Sequence, residues 1–284
     1  MRSKQMIVQE ALNRASSFLE EAGYEKEIAY ILLAHHTGWS RARLYAELRS
    51  PLPSDIEAPY FRDVEKACSH IPVQHLTGTE MFYGRPFHVN KHVLIPRPET
   101  EELIEAVLRH VPAEEPSIVD IGTGSGIIAC TLALEIPGAS VTAVDISEKA
   151  LETAEKNAAE LGACVTFSHG DLLEPVRGPV DIVVSNPPYI PAGDRLWMKE
   201  NVTGHEPEGA LFAGDDGLDI YRRLSEVLPE YVKKPGLAAF EIGHDQGKAV
   251  ADLMNRSFPQ AAVDVHKDMN GNERVVLIHV PPGG

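Results

Sequence analysis

The chain has 284 residues, which is long for one domain and short for two full ones. Its hydrophobic content of 43% and charged content of 24% are those of a folded globular protein, and they exclude wholesale disorder. With 26 Lys and Arg against 42 Asp and Glu, the net charge of −16 argues against a nucleic-acid substrate, whose phosphates require a basic surface.

The three cysteines, Cys68, Cys130 and Cys164, have no C-x-x-C spacing, and their number is odd. We therefore expect neither a disulfide framework nor a zinc site, and we expect a reducing compartment. The 12 histidines show no metal-ligand spacing, so no metal is expected. The N-terminal segment lacks the apolar core of a signal peptide, and no stretch approaches the length of a membrane span. We expect a cytoplasmic protein that does not contact a membrane.

Residues 1–76 carry apolar side chains at helical spacing and predict a helical N-terminal domain. The N-terminal segment is predicted to be helical, with apolar residues at helical spacing from Ile7 onward, and this first helix stops at Gly23. Three further helices are predicted over residues 27–36, 41–48 and 54–70. No motif in this part carries chemistry, and both a plain helical bundle and a domain that docks a substrate protein fit the composition.

Residues 77–95 alternate between apolar and polar side chains and predict a β-hairpin linker that turns at Gly84-Arg85-Pro86. A helix is then predicted to start at Pro98, because proline is favoured in the first turn of a helix. Thr100 can cap this helix, and the acidic residues that surround it suit the positive end of a helix dipole.

Strands and helices alternate from Pro116 to the end of the chain. Because the strands are apolar along their whole length, they predict a largely parallel sheet that helices cover on both faces. A final hairpin that turns at Asn270-Gly271 adds an antiparallel edge strand. Residues 96–284 are therefore predicted to form an α/β domain.

A glycine-rich segment, VDIGTGSG at residues 119–126, lies between a predicted strand and a predicted helix. Gly122, Gly124 and Gly126 allow the backbone to approach a ligand at the helix N-terminus. The dinucleotide fingerprint G-x-G-x-x-G is not met, because position 127 is Ile127. The segment therefore disfavours a pyrophosphate ligand, and taken alone it also fits a plain turn between strand and helix.

Asp145 ends the next predicted strand, 19 residues after Gly126. A carboxylate at this place accepts hydrogen bonds from the ribose hydroxyls of a nucleoside. Gly170-Asp171-Leu172 follows the third strand, where Asp171 or its backbone can contact an adenine amino group and Leu172 can pack on the ring. For this segment, a plain turn and a nucleoside contact both stay open.

Asn186-Pro187-Pro188-Tyr189 follows the strand VDIVVS and is the strongest signal in the chain. The side-chain carbonyl of Asn186 is a neutral acceptor, and the fixed φ of the prolines holds the Pro187 carbonyl in place beside it. Two such acceptors suit the two hydrogens of a planar NH₂ group, on which Tyr189 can stack. The acceptors orient the nitrogen and increase its electron density, so positioning for in-line attack supplies most of the catalysis.

Together these motifs resemble the class I methyltransferases that act on planar nitrogens. The segments FYGRPFHVNKHVLIPRPETEEL and HEPEGALFAGDDGLDIYRRL resemble more narrowly the release-factor glutamine N5-methyltransferases, the HemK/PrmC family, over nearly the whole chain. The run Arg97 to Glu101 distinguishes the chain from the related ribosomal-protein glutamine methyltransferases. The resemblance implies a Rossmann-like methyltransferase fold with a seven-stranded, mostly parallel sheet, a small N-terminal helical domain and a β-hairpin connector.

The resemblance also implies a reaction. A methyl group passes from S-adenosylmethionine to the glutamine of the GGQ motif in peptide-chain release factors, which modulates translation termination. The resemblance implies that the catalytic residues are Asn186, Pro187 and Tyr189. The residues implied to bind the glutamine amide are Asn186, Pro187, Pro188 and Tyr189. The residues implied to bind the cofactor are Gly122, Thr123, Gly124, Ser125, Gly126, Asp145, Asp171, Leu172 and Asn186. Relatives often have an aromatic residue where this chain has Leu172.

Two other classes of protein are alternatives to this one. A nucleic-acid amino-methyltransferase shares the Asn-Pro-Pro-Tyr motif, but its basic face is missing from a chain with a net charge of −16. A non-catalytic cofactor-binding or adaptor protein is disfavoured, because the glycine-rich segment and the Asn-Pro-Pro-Tyr motif are both intact. We expect a monomer whose partners are release factors, with no nucleic-acid substrate.

Several further residues have an open role in the sequence. Trp197 and Met198 follow the Asn-Pro-Pro-Tyr motif and either line the glutamine entrance or pack. Arg97 and Glu99 either shape the cofactor pocket or start a helix. The segment Glu206-Pro207 is equally compatible with a structural loop.

Overall fold

The computed structural model describes residues 5–197 and 204–283. The helices of its N-terminal part are Val8–Glu21 (α1), Glu27–Thr37 (α2), Arg41–Ala46 (α3), Ser54–Cys68 (α4) and Val73–Thr77 (α5). Their apolar faces share one core that includes Leu12, Leu32 and Tyr60. The buried Tyr60 hydroxyl donates to the Ala29 carbonyl at 3.1 Å, which satisfies the one polar atom of that ring. The predicted helices are present, and α5 after Pro72 is additional.

The β-hairpin is formed by Thr79–Phe82 (β1) and Arg85–His88 (β2). The predicted turn at Gly84-Arg85-Pro86 is wrong by one residue, because Arg85 already pairs with Phe82. Tyr83 (φ 49°) and Gly84 (φ 72°) form the turn instead. Positive φ at both central residues gives a twist that matches the flanking strands, which is why hairpins favour such turns.

The remaining strands form one seven-stranded sheet in the order β5-β4-β3-β6-β7-β9-β8. They are Ser117–Ile121 (β3), Ser140–Asp145 (β4), Val165–His169 (β5), Val180–Ser185 (β6), Val232–Glu241 (β7), Ala262–Lys267 (β8) and Glu273–Val280 (β9). Strands β3 to β7 pair in parallel, whereas β9 is antiparallel to both β7 and β8. The predicted mostly parallel sheet with an antiparallel final hairpin is confirmed.

Helices cover both faces of this sheet, as parallel strands require. They are Glu99–Leu108 (α6), Ile127–Glu135 (α7), Glu148–Leu161 (α8), Asp219–Tyr231 (α9) and Gly247–Ser257 (α10), with 3₁₀ helices at Ala192–Trp197 and Glu208–Ala210. Each face has its own apolar core. One core includes Leu103, Ile128 and Phe87 of the hairpin, and the other includes Leu224 and Phe240.

Among the described residues, contacts divide the chain into two compact units. One comprises residues 5–78 with 204–205, and the other residues 79–197 with 206–283. The predicted boundaries at residues 76 and 95 stay a prediction. Each helix in the described part of the chain is too short or too polar to cross a bilayer.

Gly126 lies where α7 starts against α8. A β-carbon added at this position would lie 3.0 Å from the Ala154 β-carbon and 3.4 Å from the Cys130 sulfur, and the backbone has φ 82°. Gly178 has a similar φ of 75°, but a β-carbon there meets no atom within 4 Å. The two glycines therefore share the backbone constraint and differ in packing.

Gly126→Ala is expected to destabilise the fold more than Gly178→Ala. Both variants force alanine into the left-handed region, which costs about 1 kcal/mol. Only Gly126→Ala adds an overpacked contact between helices, at about 1–3 kcal/mol more. Denaturant unfolding of the three proteins measures the difference, and equal losses for the two variants would show that the α7–α8 contact relaxes freely.

Candidate active site

Four parallel strands end at the same edge of the sheet, and each is followed by one of the predicted motifs. Gly122 follows β3, Asp145 ends β4, Gly170 follows β5 and Asn186 follows β6. Strand β3 has β4 as its neighbour on one side and β6 on the other, so the strand order changes direction at β3. Such a switch in strand order opens a crevice at the carboxyl ends, which is where ligands bind in open α/β sheets.

A cavity of about 430 Å³ lies at this edge. Its volume is within the range of small-molecule sites, about 300–1,000 Å³. Of the predicted site residues, the cavity is lined by Gly122, Thr123, Gly124, Ser125, Asp145, Asp171, Leu172, Asn186, Pro187 and Pro188. Neither Gly126 nor Tyr189 is part of its lining within the described residues. Ile146, also in the lining, has 68% of its surface exposed, an apolar side chain placed for a flat ligand.

Asp145 is tied to the glycine loop by its own carboxylate. One oxygen accepts from the Gly124 N–H at 2.9 Å, and the other accepts from the Ser147 N–H at 2.8 Å. A carboxylate has about four acceptor sites, so each oxygen retains capacity toward the cavity. The carboxylate is thus fixed in direction by backbone donors before any ligand binds.

Asp120 lies beneath the glycine loop and is completely buried. One oxygen accepts from the Thr123 hydroxyl at 2.6 Å and from the Ala129 N–H at 3.1 Å. The other oxygen is buried with no partner among the described residues. Desolvation by burial raises the pKa of Asp120 to about 7, and the Asp145 charge adds to the shift. Asp120 therefore holds the loop from below.

Asn157 of α8 supports the glycine loop and is not among the predicted site residues. Its amide nitrogen donates to the carbonyls of Ser125 at 2.8 Å and His88 at 3.0 Å. Its oxygen accepts from the His88 N–H at 2.7 Å. One buried side chain thus connects the glycine loop to the β-hairpin. A polar residue on the apolar face of a predicted helix is the signal that marks it.

Asn186 is oriented by a contact that the sequence did not reveal. Its Nδ2 donates to the Thr100 hydroxyl at 3.1 Å. Thr100 is fully buried in the first turn of α6. Its predicted capping role is wrong, because Pro98 occupies the N-cap position and no side-chain cap is found there among the described residues. Just before Asn186, the Ser185 hydroxyl donates to the Ile121 carbonyl at 2.7 Å and ties β6 to β3.

The Tyr189 backbone is held from behind the cavity. Its carbonyl accepts from Gln246 Nε2 at 2.9 Å, and Gly217 approaches it so closely that a β-carbon there would lie 2.1 Å from the carbonyl oxygen. The Tyr189 hydroxyl points to Glu241 Oε1 at 3.5 Å. Burial, together with the Glu241 charge, raises the pKa of Tyr189. Its predicted stacking role stays a prediction.

Glu241 is the last residue of β7 and exposes only 1% of its surface. Burial raises its pKa to about 7, although a hydrogen bond with Thr100 and the charge of Arg274 oppose the shift. Glu241 lies in a predicted strand for which the sequence indicates no functional role. A carboxyl among apolar residues, FEIG at residues 240–243, is the pattern that marks it.

Asp171 and Leu172 both line the cavity. The Asp171 carboxylate pairs with Arg223 at 2.6 Å, and both residues line the cavity. Leu172 has a φ of 49°, an uncommon conformation for a branched residue that is found at functional turns. The structure brings both residues to the cavity, and their contact with adenine stays a prediction.

Arg97 and Glu206 join the two segments that carry the family resemblance. Arg97 Nη2 lies 2.5 Å from Glu206 Oε1, and the Ile95 N–H donates to Oε2 at 3.1 Å. Burial raises the pKa of Glu206, against the opposing Arg97 charge. Arg97 lines the cavity and Glu206 fixes it there. Trp197 is 86% exposed, and Met198 lies outside the described residues.

Among residues 5–197 and 204–283, no group of three or more His, Cys, Asp or Glu side chains is arranged to hold a metal ion.

Two family models match the chain: the PrmC N-terminal domain over residues 10–78 and the methyltransferase small domain over residues 100–199. The fold and the cavity define the class, a methyltransferase that depends on S-adenosylmethionine. Release factor glutamine methyltransferase from Bacillus anthracis is 46% identical over 97% of this chain and 100% of the relative. The Bacillus subtilis enzyme of the same name is 48% identical over 95% of this chain and 97% of the relative. The chain belongs to the release factor glutamine methyltransferase family.

Solved structures share the fold at low sequence identity. A methyltransferase from Pyrococcus furiosus superposes with a TM-score of 0.53 and is 17% identical over 81% of this chain and 100% of that one. A 16S rRNA N2 G1207 methyltransferase from T. thermophilus, solved with AdoMet and guanosine, has a TM-score of 0.51. It is 16% identical over 71% of this chain and 49% of that one. These likenesses support the fold alone.

Asp120→Asn is expected to change how stability depends on pH. Because the pKa of Asp120 is raised to about 7, the folded protein binds a proton that the unfolded chain releases near pH 4. Its contribution to the unfolding free energy is therefore full below about pH 4 and is lost as the pH rises to about 7. The asparagine of the variant does not titrate, so the variant lacks this pH-dependent loss of unfolding free energy.

Denaturant unfolding of wild type and Asp120→Asn across this range gives the difference in unfolding free energy. We expect the stability of wild type relative to the variant to fall until about pH 7 and then to level off. The comparison above that pH is the internal control. A constant difference across the range would show that Asp120 is not the titrating group.

Proposed function

We propose that the chain transfers a methyl group from S-adenosylmethionine to the side-chain amide N5 of the glutamine in the GGQ motif of peptide-chain release factors. This activity would modulate translation termination. The observation that carries the proposal is the orientation of Asn186 at the cavity edge. Its Nδ2 is held by Thr100, so its Oδ1 is the atom that can accept from a substrate N–H.

The cavity fits the nucleoside part of the cofactor. Gly124 and Asp145 form a backbone-to-carboxylate cradle, and the remaining acceptor capacity of Asp145 suits two ribose hydroxyls. Ile146 and Leu172 offer apolar surface to a ring, beside Asp171. We assign cofactor binding to the glycine loop residues Gly122 to Gly126 and to these side chains. When bound, S-adenosylmethionine supplies a methyl group that is already activated by the positive sulfur.

The chain's own contribution is to orient the glutamine amide. An amide nitrogen is a poor nucleophile because its lone pair is delocalised into the carbonyl. Asn186 Oδ1 and the Pro187 carbonyl would accept its two hydrogens, hold it in line with the methyl carbon and increase electron density on nitrogen. Pro187 and Pro188 line the cavity and Tyr189 is fixed behind it, so the acceptors need little reorganisation.

The partner is proposed to be a release factor, in the cytoplasm, with no nucleic acid as direct substrate and with the enzyme acting as a monomer. The relatives named release factor glutamine methyltransferase and the match to a PrmC N-terminal domain support the partner. The N-terminal helices would dock the release factor, since Phe18, Ile31 and Tyr45 expose 52%, 41% and 48% of their surface.

Incubation of the enzyme with a purified release factor and S-adenosylmethionine is expected to add one methyl group to the GGQ glutamine, detected by peptide mass spectrometry. Asn186→Ala should reduce the rate by about 100-fold or more, because it removes an acceptor aimed at the reacting nitrogen. Its cofactor affinity should stay close to that of wild type.

Asn270→Ala is the matched control for this variant. Asn270 lies in the exposed turn between β8 and β9, where its backbone N–H, not its side chain, bonds Asp268. Wild-type activity is expected for it. The role of Asn186 would be wrong if cofactor affinity fell in parallel with the rate, and the proposed reaction would be wrong if the mass gain lay on another residue.

Asp145→Ala is expected to weaken cofactor binding by about 10–100-fold, the effect of losing charge-assisted hydrogen bonds of about 1.5–3 kcal/mol. Isothermal calorimetry with S-adenosylhomocysteine measures it directly. Asp171→Ala is the comparison, because the Asp171 carboxylate is already paired with Arg223 and should contribute less. An unchanged affinity for Asp145→Ala would argue against the ribose assignment.

A further inference from the structure

Buried side chains connect Asn186 and Thr100, which both line the cavity, to Glu241, which is not part of the cavity lining within the described residues. Asn186 Nδ2 donates to Thr100 Oγ1 at 3.1 Å. The Thr100 hydroxyl also lies close enough to the Glu241 carboxyl to lower the pKa of Glu241 as a hydrogen-bond donor. Tyr189, in the same loop as Asn186, brings its hydroxyl to 3.5 Å from Glu241 Oε1. Thr100 and Glu241 are 0% and 1% exposed, so both are shielded from bulk water.

The direction of these hydrogen bonds depends on the charge of Glu241. A hydroxyl has one proton to donate, whereas a carboxylate can only accept. With Glu241 ionised, the Thr100 proton points to Glu241, and the Thr100 lone pairs face Asn186. The amide of Asn186 must then turn its nitrogen to Thr100 and its oxygen to the cavity.

Protonation of Glu241 removes this constraint. A carboxylic acid can donate to the Thr100 oxygen, which frees the Thr100 proton for the Asn186 oxygen. The Asn186 amide can then rotate and present its NH₂ group to the cavity. The N–H groups of Asn186 would then face a hydrogen of the substrate amide, and no hydrogen bond forms between two donors. Only the Pro187 carbonyl would remain as an acceptor.

We propose that Glu241 and Thr100 are positioning residues that set the orientation of the Asn186 amide, and that the ionised form of Glu241 is the one that supports methyl transfer. This inference rests on the proposed function, since it requires Asn186 Oδ1 to accept from the substrate nitrogen. Neither residue is assigned a contact with the reacting atoms. Both act through Asn186.

The groups that face Glu241 support a titration near neutral pH. Arg274 of β9 favours the ionised carboxylate, whereas Glu99 at the start of α6 disfavours it. The Tyr189 hydroxyl lies nearby, and the Tyr221 hydroxyl of α9 is already used by the Glu241 backbone carbonyl at 2.6 Å. Burial dominates these effects and raises the pKa of Glu241 to about 7. The turnover number kcat should therefore rise with pH through about 7.

The test measures methylation of a purified release factor between about pH 5.5 and 8.5, with wild type and five variants of the full chain. Thr100→Val removes the hydroxyl with little change in shape and should lower kcat by about 10–100-fold, with cofactor affinity unchanged. Thr100→Ser keeps a hydroxyl and should restore most of the rate. Glu241→Gln keeps a carbonyl acceptor but cannot ionise, so it should abolish the rise of kcat with pH.

Thr131→Val is the matched control for the loss of a buried hydroxyl. Thr131 of α7 is fully buried, and its hydroxyl has no partner within the described residues. It should retain wild-type kcat at every pH. Asp120 titrates in the same range, so Asp120→Asn is measured as well and should keep the rise that Glu241→Gln abolishes.

The inference is overturned if Glu241→Gln keeps the wild-type pH profile, or if Thr100→Val lowers the melting temperature but not kcat per folded enzyme. If Glu241→Gln does not fold, the comparison of Thr100→Val with Thr100→Ser still decides, because only a positioning role separates them in kcat. Failure of wild type to methylate the release factor at any pH would instead contradict the proposed function.

Discussion

The parallel pairing of β3 with β6 is the constraint on which the site depends. It places Ile121 opposite Ser185, so that the glycine loop and Asn186 leave the sheet side by side. The Ser185 hydroxyl reinforces the pairing through the Ile121 carbonyl at 2.7 Å. A slip of one residue would turn the side chains of β6 to the opposite face and remove Asn186 from the cavity. Binding and chemistry are therefore adjacent because of sheet register.

Buried polar side chains then fix what the register brings together. Two of them support the glycine loop: Asp120 accepts from the Thr123 hydroxyl, and Asn157 donates to the Ser125 carbonyl. The third, Thr100, accepts from Asn186 Nδ2. Burying such groups is unfavourable unless they are paired, and networks of paired groups define a single geometry. The unpaired oxygens of Asp120 and Glu241 are exceptions, at the residues whose pKa values are raised to about 7. Each of these two carboxyls interacts with a threonine that lines the cavity, Asp120 with Thr123 and Glu241 with Thr100.

The sequence predicted the sheet and the cavity lining better than it predicted their support. Gly124, Asp145 and Asn186 follow strand ends, and parallel strands bring such ends to one edge, so short-range patterns sufficed. The contact between Asn186 and Thr100 joins residues 86 positions apart, and that between Arg97 and Glu206 joins residues 109 apart. No periodicity encodes such pairs. The hairpin turn was misplaced because turn proline and glycine signals at residues 84 and 86 outweighed the left-handed Tyr83.

A buried carboxyl behind the acceptor site implies a conflict between stability and activity. Replacing a buried charge with an apolar side chain of similar volume often stabilises a fold, so Glu241 is not explained by stability. Its burial is better explained by the direction it gives to Thr100, because a neutral apolar residue would leave the Asn186 amide free to present either end. The ionised Glu241 carboxylate can only accept hydrogen bonds, so it acts through Thr100 to present the oxygen end of the Asn186 amide to the cavity. The substrate's planar NH₂ group requires that end, so a residue that never touches the substrate can still determine which chemical group the cavity binds.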